Sequence, residues 1–123
     1  MAVQDYARRY TALFLGGSST SIPGYMAIGS GSGAALVNVG SLYAEHDGKR
    51  ESFLSTDNSV TNKITWNTNW GLTALSGLTI REFALTTGSP SFIKDLWNYE
   101  NLGTGVLFDG EAELRGIVEW EVK

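Results

Sequence analysis

A chain of 123 residues, 42% of them hydrophobic, is long enough for one sizeable core and too short for two lobes with a cleft between them, so a single domain spanning 1–123 is expected. The formal net charge of −4 repels phosphate backbones and argues against nucleic-acid partners, and the absence of cysteine excludes disulfides, thiolate metal sites and a cysteine nucleophile. Fifteen glycines against two prolines point to many tight turns and to no linker.

The first ten residues, MAVQDYARRY, hold an acid and two arginines where a secretory signal needs an apolar stretch. No window reaches the ~18 consecutive apolar residues that span a bilayer, so a soluble compartment and no membrane partner are expected. Val3, Tyr6, Ala7, Tyr10, Leu13 and Phe14 recur at spacings of three and four. That stripe predicts one helix at about residues 3–15, ended by Gly16-Gly17, with Arg8 and Arg9 pointing away from it into solvent.

From Tyr25 onward the signals are those of strands. In KITWNTNW, Ile64, Trp66, Thr68 and Trp70 share one face while Lys63, Thr65, Asn67 and Asn69 share the other, which describes a strand with one wet side. ELRGIVEWEV repeats the pattern, with Leu114, Val118, Trp120 and Val122 on one side and Glu113, Arg115, Glu119 and Glu121 opposite. In SGLTIREFAL the apolar parity slips between Ile80 and Phe83, which predicts a β-bulge near Arg81-Glu82. Asp47-Gly48 and Asp109-Gly110 each read as the turn of a hairpin. One helix followed by about six to eight short strands predicts a mainly β protein, an antiparallel β-sandwich or small barrel with one N-terminal helix.

The stretch YMAIGSGSGAAL, residues 25–36, places Gly29, Gly31 and Ala34 at the G-x-G-x-x-G/A spacing of a dinucleotide-binding turn. Such a turn must open a helix whose first amides meet the pyrophosphate. Here Gly40 interrupts the chain too soon for a crossover helix, and Asp47, spaced as a ribose-binding acid, precedes a turn glycine. A conformational role is therefore expected for these glycines, and no cofactor.

Other constellations are weaker. His46, the single histidine, lies between Glu45 and Asp47, but consecutive residues point in different directions and do not converge on one ion, so no metal site is expected. No serine lies in a G-x-S-x-G elbow. Glu111 with Glu113 and Glu119 with Glu121 share a strand face as a glycosidase pair could, and solvated strand edges look the same. Lys49-Arg50 reads as solvated surface. No catalytic residues are expected.

The aromatic residues offer more. Trp66, Trp70 and Trp120 fall on inward faces. Phe92, Leu96, Trp97 and Tyr99 lie in the polar-flanked SPSFIKDLWNYENLG and are candidates for a protein interface, for the chain's own core, or, as Trp97 and Tyr99, for a platform that stacks on sugar rings. Tyr6, Tyr10 and Phe14 could cap an open end of the sandwich or reach a neighbouring subunit.

The order of amphipathic helix, glycine break, Pro23, Y-x-A-I-G-x-G at 25–31, a small-residue loop and L-x-x-E from Leu42 to Glu45 resembles small structural proteins from the tail and virion modules of tailed bacteriophages. LTIREFALTTGS is similar to a strand of theirs that has an isoleucine, a glutamate and an aromatic ahead of a glycine. Arg81 and Phe83 depart from the small residues common there, and the insert SPSFIKDLWNYENLGTG is longer and more aromatic. The resemblance implies a non-enzymatic building block of a virion, in the tail or tail fibre or as a capsid decoration protein. Its implied partners are itself, as a trimer, and other virion proteins such as the major capsid or tail protein. The alternative from another class is a carbohydrate-binding module that recognises a host glycan.

Overall fold

The computed structural model describes residues 2–122. In chain order it has β1 (Ala2–Val3), α1 (Asp5–Leu15), β2 (Tyr25–Gly29), β3 (Glu51–Ser52), β4 (Ser55–Asp57), β5 (Lys63–Trp70), β6 (Thr79–Thr86), β7 (Asn98–Leu107) and β8 (Leu114–Glu121). The strands form a five-stranded antiparallel sheet in the order β1-β7-β6-β2-β3 and a three-stranded antiparallel sheet in the order β4-β5-β8. The sheets face each other without closing, so the sandwich of the two expected architectures is the one adopted.

The alternation read in β5 and β8 holds. Trp66, Thr68 and Trp70 are buried on one face of β5, and Gly116 and Val118 on one face of β8, where they meet Met26 and Ile28 of β2 and Ile80 and Leu85 of β6. Fully burying each such large apolar side chain stabilises the fold by about 1.5–3 kcal/mol. At Gly116 the two sheets come so close that a Cβ would stand 2.8 Å from the Met26 sulfur.

A second cluster lies on the outer face of the large sheet, where Ala27, Ala84, Leu96 and Tyr99 are covered by Leu42 and Val39 from the long connection after β2. The central strands are therefore buried on both faces, and β2 reads as buried from Met26 through Gly29 without alternation.

The predicted bulge is present. Ile80 pairs with Val106 and Glu82 with Asn101, so the register shifts at Arg81 while residues 102–105 of β7 arch outward. Its consequence is directional: Ile80 and Phe83 both pack toward the small sheet, and Glu82 is turned to the opposite face.

The helix begins at Asp5 because Ala2 and Val3 pair with Tyr99 and Asn98 of β7 instead of extending it. It ends as expected at the glycine pair. The amide of Ser18 donates to Leu13 O at 2.8 Å, and Gly17 takes φ +75°, the left-handed conformation that closes a helix end. Tyr6 and Tyr10 stack on each other, and Tyr6 meets Trp97 edge-on, so these two helix aromatics cap the core and Phe14 stays half-exposed.

Both hairpin expectations need correction. Asp109-Gly110 joins strands of different sheets, β7 paired with β6 and β8 with β5, so the turn crosses the sandwich. Asp47-Gly48 separates Glu45, which bridges to Gly29, from β3, which pairs with Tyr25 and Met26; both flanks bind the same neighbour, β2. In each case the turn chemistry was legible and the pairing partner was not, because pairing is decided by which apolar faces meet.

Candidate functional site

The glycine-rich turn binds an anion that belongs to the protein itself. Glu82, fully buried, accepts hydrogen bonds from the amides of Gly31 (2.9 Å) and Ala44 (2.7 Å) at Oε2, and from the Tyr43 amide and the Tyr99 hydroxyl (both 2.9 Å) at Oε1. Burying a carboxylate is tolerated only when its lone pairs are occupied, and here each oxygen receives two donors. Glycine is required for the approach: a Cβ on Gly31 would stand 2.6 Å from Glu82 Oε2, and one on Gly29 2.5 Å. Asn101 adds hydrogen bonds to the carbonyls of Gly31 and Gly33, and the buried Gln4 side chain ties Leu36 O and Val39 N of the same loop to the start of the helix. The loop is thus internal architecture, as the conformational reading of its glycines anticipated, with a carboxylate where a dinucleotide site would hold phosphate.

Tyr99, against Glu82 in this cluster, is pushed up to about 12 by its burial, with the neighbouring carboxylate adding to the effect. A phenol with a raised native pKa stabilises the fold fully below its unfolded value near 10, and that contribution is lost as pH rises through about 12. Stability measured by urea unfolding is expected to fall between pH 10 and 12 in the native chain. In Tyr99→Phe the fall should be shallower; an unchanged slope would remove Tyr99 as its source.

A second buried polar cluster corrects the reading of Arg50 as solvated surface. Its side chain is wholly buried, forked onto Glu45 (Nε–Oε2 2.8 Å) and Asp95 (Nη1–Oδ1 2.9 Å), and it donates further to Gly88 O and Ile93 O. Burial alone would depress its pKa, but the hydrogen bonds and charges of Glu45 and Asp95 outweigh that and raise it. The carboxylates reach onward, Asp95 accepting from the amides of Thr87 and Gly88 and Glu45 from the amide of Phe92. His46, between Glu45 and Asp47 in sequence, is turned elsewhere: Nε2 donates to Thr79 O at 2.7 Å. Among the described residues no group of three or more His, Asp or Glu side chains could hold a metal ion. Glu119 and Glu121 lie on the outer face of β8, Glu119 3.5 Å from Lys63 and Glu121 bonded to Asn62.

The candidate interface residues separate. Leu96, Trp97 and Tyr99 are buried within the chain, Trp97 facing the small sheet and Tyr99 the long loop, so they offer no surface to a partner and no stacking platform to a sugar. Of the three readings open for these residues, burial in the chain's own core is the one that holds for Leu96, Trp97 and Tyr99, because both faces of the sheet they adjoin are covered. Phe92 remains, 58% exposed beside Ile93, and it takes φ +69°, among the described residues the one positive φ outside glycine. An aromatic side chain in the left-handed region costs about 1–2 kcal/mol, and the Glu45 carboxylate on its amide holds it there. Nothing in the sequence marks that strain.

Among the described residues no helix is long and apolar enough to cross a membrane. Comparison of the chain with protein-family models, with curated proteins and with solved structures finds no match in any of the three.

Proposed function

We propose that the chain is a non-enzymatic structural subunit of a tailed-phage virion, working by protein–protein contact in the tail or as a capsid decoration protein. The observation that carries the assembly reading is Phe92: a half-exposed aromatic kept in a strained backbone by a buried ion-pair cluster, with Ile93 exposed beside it. Strain maintained at an exposed apolar side chain is better explained by contact than by folding, since glycine would satisfy the fold at that φ. Placement in a phage particle is supported by the sequence resemblance over the helix, the glycine loop and the Glu82 strand. Exposed aromatics that anchor interfaces do so from preorganised loops, and the Arg50 cluster supplies that preorganisation.

The test separates contact from stability. Phe92→Gly relieves the backbone and is expected to leave urea-unfolding stability unchanged within about 1 kcal/mol or to raise it, while reducing at least tenfold the copies of the chain carried by gradient-purified particles of the phage that encodes it. Particles that carry the variant at the native level, or native particles that lack the chain, would overturn the proposal.

A further inference from the structure

β8 is the last strand of its sheet, paired on one side by β5 and on the other, among the described residues, by no strand. Which of its backbone groups are left over follows from the register. Val122 N donates to Asn62 O at 2.8 Å, continuing the pairing of Lys63 with Glu121, so even-numbered residues of β8 exchange hydrogen bonds with β5. The amides and carbonyls of Arg115, Ile117, Glu119 and Glu121 therefore point away from the sheet. Natural edges of this length are blunted by charged side chains, by proline, by a bulge or by a covering element; β8 has neither proline nor register shift, and its charges at Arg115, Glu119 and Glu121 stand on the outward face and do not occupy its backbone groups.

Two apolar clefts abut this edge, one toward each end. The first, about 280 Å³, is bounded by residues 114–117 with Phe83, Ile80 and Leu102 of the large sheet. The second, about 330 Å³, lies between Trp120 and the small-residue face of α1 at Ala7, Thr11 and Ala12. Beside the second cleft the indole Nε1 of Trp120 is buried without an acceptor among the described residues. Five strands thus face three, and the edge of β8 adjoins apolar clefts and carries a row of backbone groups that β5 does not use.

We propose that β8 accepts an added strand: an extended segment of a partner protein that pairs antiparallel with residues 115–121. Its alternate side chains are apolar and enter the two clefts, and its outward side chains set an acid across from Arg115 and a base across from Glu121. The charge pattern follows from β8 itself, where Arg115 has no ion-pair partner among the described residues. Strand addition takes affinity from the main chain and specificity from alternate pockets. A folded second copy is disfavoured as occupant, because α1 and Leu102 of β7 wall the clefts beside the edge and leave room for a single extended segment more readily than for a second sheet. The inference deepens the assembly reading by naming the kind of partner.

The probe is the labelled peptide ELRGIVEWEVK, which copies residues 113–123. Antiparallel, with its first valine opposite Val118, it uses every free backbone group of β8 and sets its last glutamate against Arg115. Saturable binding is expected, with amide exchange at Arg115, Ile117, Glu119 and Glu121 slowed at least tenfold. A peptide with the signs of its arginine and that glutamate exchanged should bind at least tenfold more weakly. Ile117→Pro, which removes an amide that β5 does not use, should abolish binding; Arg115→Glu, a surface change, should weaken it if the proline variant does not fold. Unchanged exchange at those four amides with peptide up to about 1 mM would overturn the proposal. So would a dimer near twice 13.3 kDa that protects the same amides, since the occupant would then be a second copy. Failure here leaves the Phe92→Gly particle result standing, and failure of that result leaves the strand test intact.

Discussion

Glu82→Ala is expected to lower unfolding stability by about 4–6 kcal/mol, the largest effect of any single substitution outside the apolar core. The carboxylate is the shared acceptor of three amides and one hydroxyl, brought to it by three separate parts of the chain, at Gly31, at Tyr43-Ala44 and at Tyr99. Removing it leaves four donors facing an apolar methyl group, each uncompensated donor costing about 1–3 kcal/mol with partial relaxation between them. For a domain of this size, whose total stability is on the order of 6–18 kcal/mol, that is enough to unfold a large share of molecules. Glu82→Gln keeps shape and one good acceptor but turns an NH₂ group toward amide donors, so a smaller loss of about 2–3 kcal/mol is expected. Urea-unfolding midpoints with a common slope measure both. A glutamine variant within about 0.5 kcal/mol of the native chain would show that the loop is held by its other contacts, at Gln4 and Asn101, and that Glu82 is incidental.

Arg50→Met is expected to cost about 3–5 kcal/mol, because it strands two buried carboxylates beside each other without their cation. Methionine fills comparable volume, so the loss reports charge and hydrogen bonding more than packing. Arg50→Lys should recover only part of it: a point charge on a flexible stem cannot fork onto Glu45 and Asp95 while also reaching Gly88 O and Ile93 O. The two carboxylates also hold the amides of Thr87, Gly88 and Phe92, so the damage should spread into residues 87–95. Amide exchange should therefore accelerate at Phe92 before it does in β5. Equal acceleration in both would mean that the cluster supports the whole sandwich and not this loop.

The two clusters hold different parts of the molecule. The Glu82 cluster locks the long loop onto one face of the large sheet and completes a core. The Arg50 cluster locks the loop that carries Phe92 and Ile93, so the apolar side chains offered outward rest on an ion-pair platform that is itself buried. Phe92 is then a rigid projection, which suits the proposed contact role.

Local chemistry alone was sufficient for much of the architecture. The spacing of Tyr6, Ala7 and Tyr10 defined the helix and Gly16-Gly17 its end; the parity of Trp66, Thr68 and Trp70 defined the inward face of β5; and the slip between Ile80 and Phe83 located the bulge. Each depends on neighbours within about ten residues, where backbone period and side-chain polarity act together. What the tertiary structure decided were the relations between distant residues. Glu82 lies 51 positions from Gly31 and Arg50 45 from Asp95, and no local pattern distinguishes a carboxylate that will be buried from one that stays wet. The same holds for Trp97 and Tyr99, which share a parity yet pack in different clusters, because β7 begins only at Asn98 and the sheet it joins is covered on both faces. The turn residues of Asp109-Gly110 announced a reversal, but the strand that follows pairs with β5 of the other sheet, a choice set by which apolar faces meet.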